Sequence, residues 1–178
     1  WSWSRGLGDV YKRQQQWTLM LTDPEQVAGL PQRALDALAA AARDAGETDA
    51  TASSGPWLLG LDMPRYVPFL THARNRDLRE TVYRAHVSRA SDGDLDNRAL
   101  IEEILSLRTD QAKRLGYRHW ADVSLAAKMA DDVDAVEALL EELRAAAFPA
   151  AERELAELKA CAARQGAAEA ETLAAWDV

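Results

Sequence analysis

A mainly α-helical, bundle-like fold with at most one or two short strands is what this sequence predicts, on three observations. Apolar residues recur at spacings of three and four through most of residues 31–164, in runs bounded by capping residues and glycines. Strands and helices do not alternate, as a parallel sheet would require. With 48 % hydrophobic and 28 % charged residues in 178, the chain has an ordinary globular composition and enough length for a substantial core.

The elements are taken in chain order. Asp23-Pro24-Glu25-Gln26 predicts a helix start, because Asp23 caps, Pro24 suits the first helical position and Gln26 reaches back to the cap. An Ala-rich helix is expected from about Pro31 to Ala45, stopped by Gly46. The run ETDATASSGP predicts a polar loop, and WLLGLD after it a short strand. Pro64 opens a helix to about Ala73. An arginine-rich helix comes next, on which Leu78, Val82, Ala85 and His86 share a face, and Gly93 stops it. Asp96 or Asn97 caps the next helix, which runs to Leu115 with Gly116 beyond it and Ile101, Ile104, Leu105, Ala112 and Leu115 as its core stripe. A shorter helix covers about Trp120 to Met129. Asp132 or Asp134 begins the longest one, reaching Arg164 with a stripe through Leu140, Leu143, Leu155 and Leu158. Pro149 should kink or break it, since a proline removes one backbone bond and clashes with the preceding turn.

Charge narrows the function classes. Between Arg74 and Arg89, five arginines face only Asp77 and Glu80, a local surplus of +3. Asp92, Asp94 and Asp96 largely cancel it, and the whole chain carries -8 with a pI near 4.9, so no phosphate-gripping surface and no nucleic-acid partner is expected. No run approaches the ~18 apolar residues of a membrane span, and no signal-peptide pattern opens the chain. One cysteine, Cys161, excludes an internal disulfide and a cysteine-rich zinc site, and a reducing, cytoplasmic setting is expected. Cys161 sits among alanines and reads as a small buried hydrophobe.

The opening WSWSRGLGDVYKRQ lacks the periodicity of the rest of the chain. Residues 1–16 read as a non-native, adapter-like leader, which takes +2 with it and leaves the remainder near -10. Residues 17–178 are then expected to be an internal piece of a longer protein.

Motifs that carry chemistry are missing from this stretch. The histidines, His72, His86 and His119, are nowhere four residues apart, so they form no helical metal pair. His86 shares the apolar stripe and reads as a satisfied core residue, while His72 and His119 fall near helix ends. There is no Gly-rich phosphate loop and no G-x-S-x-G elbow. Asp131-Asp132 and Glu141-Glu142 read as a cap and solvated surface.

Order and identity of landmarks are more specific. TLMLTDPEQVAGLP is succeeded by LGLDMPRYVPFLTHARNRDLRETVYRAHVSRASD, then DNRALIEEILSLRTDQAKRLGYRHWADVSLAAKMA, AERELAELKA and a final WD pair. The densest parts are Asn75-Arg76, Leu78-Arg79, Arg89-Ala90-Ser91, Leu107-Arg108, Leu115-Gly116-Tyr117 and Lys128-Met129-Ala130. The stretch from Trp17 to Val178 resembles the thimet oligopeptidase and oligopeptidase A family of zinc metallopeptidases. His119 and Trp120 depart mildly from that pattern.

The resemblance implies a two-lobed, zincin-type helical body around a narrow channel, hydrolysing short peptides with zinc held by an H-E-x-x-H helix and a downstream glutamate. Two histidines one turn apart face one metal, and the glutamate between them activates its water, whose pKa the metal lowers to about 7. No such helix occurs in this chain, which the resemblance places upstream of it. No catalytic residue and no metal ligand is therefore expected here, no substrate-binding residue is assigned, and zinc is expected in the full-length parent only. The arginine helix would belong to channel-wall scaffold, its arginines paired with carboxylates. A non-catalytic helical module that binds a protein partner is the alternative.

Overall fold

The computed structural model describes residues 17–91 and 96–177. Six helices and one two-stranded antiparallel sheet make it mainly α among those residues. The chain divides into two compact units, Trp1–Asn97 with Leu173–Val178, and Arg98–Thr172.

The first unit is organised around a strand pair. Strand β1 (Thr18–Leu21) runs antiparallel to β2 (Trp57–Gly60), with Thr18 opposite Gly60 and Leu21 opposite Trp57. β2 is the expected strand of WLLGLD; β1 is the partner that sequence reading missed. A two-stranded ribbon is marginal alone, and helix α1 (Gln32–Asp44) packs against β2 to cover it. α1 buries Ala34, Leu38, Ala39 and Ala42, a single stripe of mostly small side chains.

Between β1 and α1, the predicted capping box is present. Asp23 accepts from the Glu25 N–H at 2.9 Å, and Gln26 accepts from the N–H of Thr22 and Asp23 at 3.0 and 3.1 Å. What it caps is a single 3-10 turn, Pro24–Val27. Gly29 comes next at φ +94°, where a Cβ would lie 2.3 Å from the His72 carbonyl oxygen. Only glycine lets this turn meet the end of the next helix.

Helix α2 (Met63–His72) carries Pro64 in its first turn and buries Tyr66 and Phe69. Helix α3 (Arg76–Val87) is capped by Asn75, whose side chain accepts from the Leu78 N–H at 3.1 Å. Its Val82 is buried, and Leu78 and Ala85 pack on the same core, as their spacing predicts. Leu21, Leu38, Trp57, Leu59, Phe69 and Val82 are the heart of that core. Each large side chain buried there stabilises the unit by roughly 1.5–3 kcal/mol. The stop assigned to Gly93 lies outside the described residues.

The second unit holds α4 (Arg98–Arg114), α5 (Trp120–Leu125) and α6 (Val133–Arg164), with a closing 3-10 turn at Ala170–Thr172. Gly116 ends α4 at φ +82°, and the Tyr117 N–H returns to the Ala112 carbonyl at 2.9 Å. Asp132 caps α6, accepting from the Ala135 N–H at 2.8 Å. α5 stops at Leu125, short of the expected Met129. There the Lys128 N–H closes a tighter turn on the Leu125 carbonyl at 2.8 Å, and the chain extends again to place Asp132 as a cap. Pro149 lies inside α6 without ending it, so the expected break does not occur. One lost backbone bond is a local defect, and a helix of 32 residues has turns on both sides to carry the path across it.

The expected core stripes need correction. On α4 only Ala112 is buried, while Ile101, Ile104, Leu105 and Leu115 are exposed. On α6 no residue is buried, and Leu140, Leu143, Leu155 and Leu158 are exposed. Periodicity alone does not bury a face. Burial needs an opposing apolar surface, and nothing in the described unit supplies one along these helices.

Candidate functional site

The charged centre of the first unit forms where α3 meets residues 174–177. Arg76 donates from Nε and Nη2 to the two carboxylate oxygens of Asp177 at 2.9 and 2.7 Å. Arg79 donates from Nη2 to the same carboxylate at 3.1 Å, and the Ala174 N–H adds a fourth bond at 3.1 Å. Arg79 also donates to the Trp176 carbonyl and the Ala73 carbonyl, each at 2.7 Å. A fork-shaped guanidinium matches a carboxylate in this way, and such bonds are about twice as strong as neutral ones. The Asp177 side chain is only 3 % exposed. Burial opposes its charge, but the bonds from Arg76, Ala174 and Arg79 outweigh burial and hold its pKa below the usual carboxylate value.

Trp176 adds an aromatic floor. Its ring lies 5.6 Å from that of Tyr83, with the guanidinium carbons of Arg84 and Arg76 at 5.0 and 5.7 Å from its centre. Arg84 donates to Glu80 at 2.7 Å. Three of the five arginines are therefore engaged by carboxylates. In the sequence the WD pair is no more than a landmark, yet its aspartate is the principal acid of the helix. An unbalanced surplus of +3 is the available signal that an acid must come from elsewhere.

A second cluster lies on the core side of α3. His86 stacks on Tyr66, ring centres 4.0 Å apart and planes within 17°. Burial lowers the His86 pKa, and the Arg89 charge lowers it further. Burial also raises the Tyr66 pKa, with the Tyr83 hydroxyl adding to the effect and Arg89 opposing it. His86 is therefore neither the core residue nor the satisfied one that the sequence predicts: it is half-buried, stacked on the core residue Tyr66. Among the described residues its buried Nε2 has no hydrogen-bond partner, nor do Nε and Nη1 of Arg89 and Nε1 of Trp176.

The residues present do not fit the zinc that the resemblance implies. His86 is committed to its stack. His119 sits with Nδ1 3.3 Å from Asp122, an exposed pair at the start of α5. His72 ends α2 on the wall of a groove of about 470 Å³ lined by Pro31, Ala34, Met63, Pro64 and Pro68. No group of three or more His, Cys, Asp or Glu is placed to hold a metal ion among the described residues. Cys161 is half-buried on α6, accepting a long contact of 3.6 Å from Gln165. Glu141 pairs with Arg144 through bonds of 2.7 and 2.6 Å on the exposed side of α6. No helix is long and apolar enough to cross a membrane among the described residues.

Comparison with known proteins adds identity to this geometry. The model of Peptidase family M3 matches residues 69–178. The chain is 52 % identical over 159 residues to the probable cytosolic oligopeptidase A of Arabidopsis thaliana, covering 89 % of this chain and 22 % of that protein. It is 51 % identical over 158 residues to the organellar oligopeptidase A, chloroplastic/mitochondrial, of the same plant, covering 89 % and 20 %. It is 41 % identical over 167 residues to oligopeptidase A of Salmonella typhimurium, covering 91 % and 23 %. The chain spans between a fifth and a quarter of the length of these relatives.

Proposed function

Because the chain belongs to Peptidase family M3, we propose that it is the helical body segment of a zinc-dependent oligopeptidase that hydrolyses short peptides. The observation that carries this reading is identity of 41–52 % along about nine-tenths of the chain to proteins named oligopeptidase A. The proposed division is a non-native leader over residues 1–16 and scaffold from residue 17 to 178. In this reading the zinc-binding helix belongs to sequence downstream of this segment, and α4 and α6 are channel-wall scaffold. The exposed apolar faces of both helices support the scaffold role, since such faces mark surfaces that other protein covers. We assign the residues here no catalytic step, because the donor set does not fit the metal. A nucleic-acid partner is not proposed, and a cytoplasmic compartment is proposed on the lone Cys161 alone, the plant relatives dividing between cytosolic and organellar names.

Two measurements test the reading. The chain, dialysed against chelator and then against zinc, should retain no stoichiometric metal and cleave no short peptide. A chimera in which this chain replaces the matched 167 residues of the Salmonella oligopeptidase A should hold one zinc and cleave short peptides. A stoichiometric zinc in the chain itself, or a folded chimera without peptidase activity, would overturn it. The same exposed faces favour one rival, a helical module that docks on another protein, for which a folded, inactive chimera is the expected result.

A further inference from the structure

We propose that Arg89, with His86 and Tyr66, forms a binding site for a single carboxylate group. The starting point is an accounting of the arginines around α3. Arg76 and Arg79 share Asp177, and Arg84 has Glu80. Arg89 has buried Nε and Nη1 atoms with no acceptor among the described residues. His86 Nε2, one helical turn earlier, is likewise buried and unpartnered among them. Unpartnered buried donors are rare in proteins and expensive, a charged one most of all.

Their setting is fixed. The His86 ring is held by its stack on Tyr66, which is itself part of the core. The backbone just past Arg89 is also set, because Ala90 is buried at φ +56° and its carbonyl accepts the Asn97 N–H at 2.9 Å. A non-glycine residue there costs about 1–2 kcal/mol, so the chain turns at this point against its local preference. The backbone that carries Arg89 is therefore set on its C-terminal side.

The chemistry selects the ligand. A guanidinium supplies one positive charge and planar N–H donors that match a carboxylate. His86, held below its ordinary pKa, is neutral near pH 7 and adds a donor from its Nε2 tautomer without adding charge. One cation beside neutral donors balances a monoanion. A dianionic phosphate would leave a net charge in a half-buried place. The carboxylate has two possible sources, a free small acid or an Asp or Glu on a protein segment packed over α3, and the test separates them.

Thermal unfolding of the chain is measured in sodium chloride and in sodium acetate at matched ionic strength, for the wild type and for Arg89→Met. A saturable rise in Tm with acetate, present in the wild type and lost in Arg89→Met, establishes the site as open to free acids. If acetate does nothing, a protein-borne acid predicts opposite signs: Arg89→Met raises the Tm of the chain, by removing an uncompensated cation, and lowers the Tm of the Salmonella chimera. An equal, non-zero rise with acetate in wild type and Arg89→Met, or shifts of Arg89→Met that share a sign in chain and chimera, overturn the site. If Arg89→Met fails to fold, Arg89→Gln, which removes the charge and keeps a planar polar end, replaces it, and the same outcomes are expected of it. The acetate measurement does not depend on the peptidase reading, so either can fail alone.

Discussion

The two units of this chain use the same alphabet of helices in opposite ways. In the first, α1, α2 and α3 bury their apolar stripes around Trp57 and Phe69. In the second, α4 and α6 carry broader, less segregated apolar faces and leave them exposed, Leu140 at 59 % among them, with only Ala112 and Ala170 buried among the described residues. The first unit is therefore held by burial. The second holds its shape by local terms: the Asp132 cap, the Gly116 stop, the Glu141–Arg144 pair and a high content of alanine and leucine. Local terms alone sustain helices weakly, so the second unit should be the softer one.

The sharpest way to break that contrast is a matched pair of truncations. Trp57→Ala is expected to cost about 3–5 kcal/mol, because it empties a site only 1 % exposed and removes the indole bond to the Ala52 carbonyl. Leu140→Ala should change stability by less than about 0.5 kcal/mol. Urea unfolding of both variants measures the difference, and a cost above about 2 kcal/mol for Leu140→Ala would show that α6 is covered in solution.

Next in size is the clamp at Asp177. Asp177→Ala removes the carboxylate that Arg76 and Arg79 share and should cost roughly 3 kcal/mol at pH 7. The depressed folded pKa fixes the sign with pH: in acid the unfolded chain takes up its proton first, near about 3.9. The stabilisation is thus full above that value and lost as pH falls through the lower folded one. Acid unfolding of wild type and variant should converge only once the pH has fallen below the lowered folded pKa of Asp177.

A smaller effect, also confined to the first unit, comes from His86. Its folded pKa is lowered by burial and by Arg89, so stability is full above the unfolded value of about 6.5 and falls as the solution is acidified through the folded one. His86→Phe, which keeps a ring on Tyr66, should flatten the stability profile below the unfolded value of about 6.5. The smallest effect on stability is expected from Leu140→Gln with Leu143→Gln. That pair should leave the urea midpoint unchanged while reducing the binding of an apolar dye.

Legible in the sequence is what near neighbours decide. The Asp23–Gln26 box, the Asp132 cap, the Gly46 and Gly116 stops and the face shared by Leu78, Val82 and Ala85 each depend on residues a turn or two apart, and each stands in the structure. The rest depends on distance. β1 is four residues without alternation, and it becomes a strand only because Trp57–Gly60 lies beside it. Asp177 is separated from Arg76 by 101 residues, so no window of periodicity joins them. The stripes of α4 and α6 show the same limit from the other side: spacing identifies an apolar face, but not what lies against it. In the candidate site, the shared stripe hints at the stack of His86 on Tyr66, while the missing acceptors of Arg89 emerge only from three-dimensional neighbours.

The separation between Arg76 and Asp177 also sets a schedule for synthesis. At about 5–20 residues per second, the arginines of α3 emerge roughly 5–20 s before their acid exists. The strand pair and the first three helices are complete by then and can assemble without it. The nascent chain therefore passes through an interval with a finished hydrophobic centre and two guanidinium groups still lacking the carboxylate they share. Any acidic passer-by, a chaperone surface among them, competes for those cations until Asp177 is delivered.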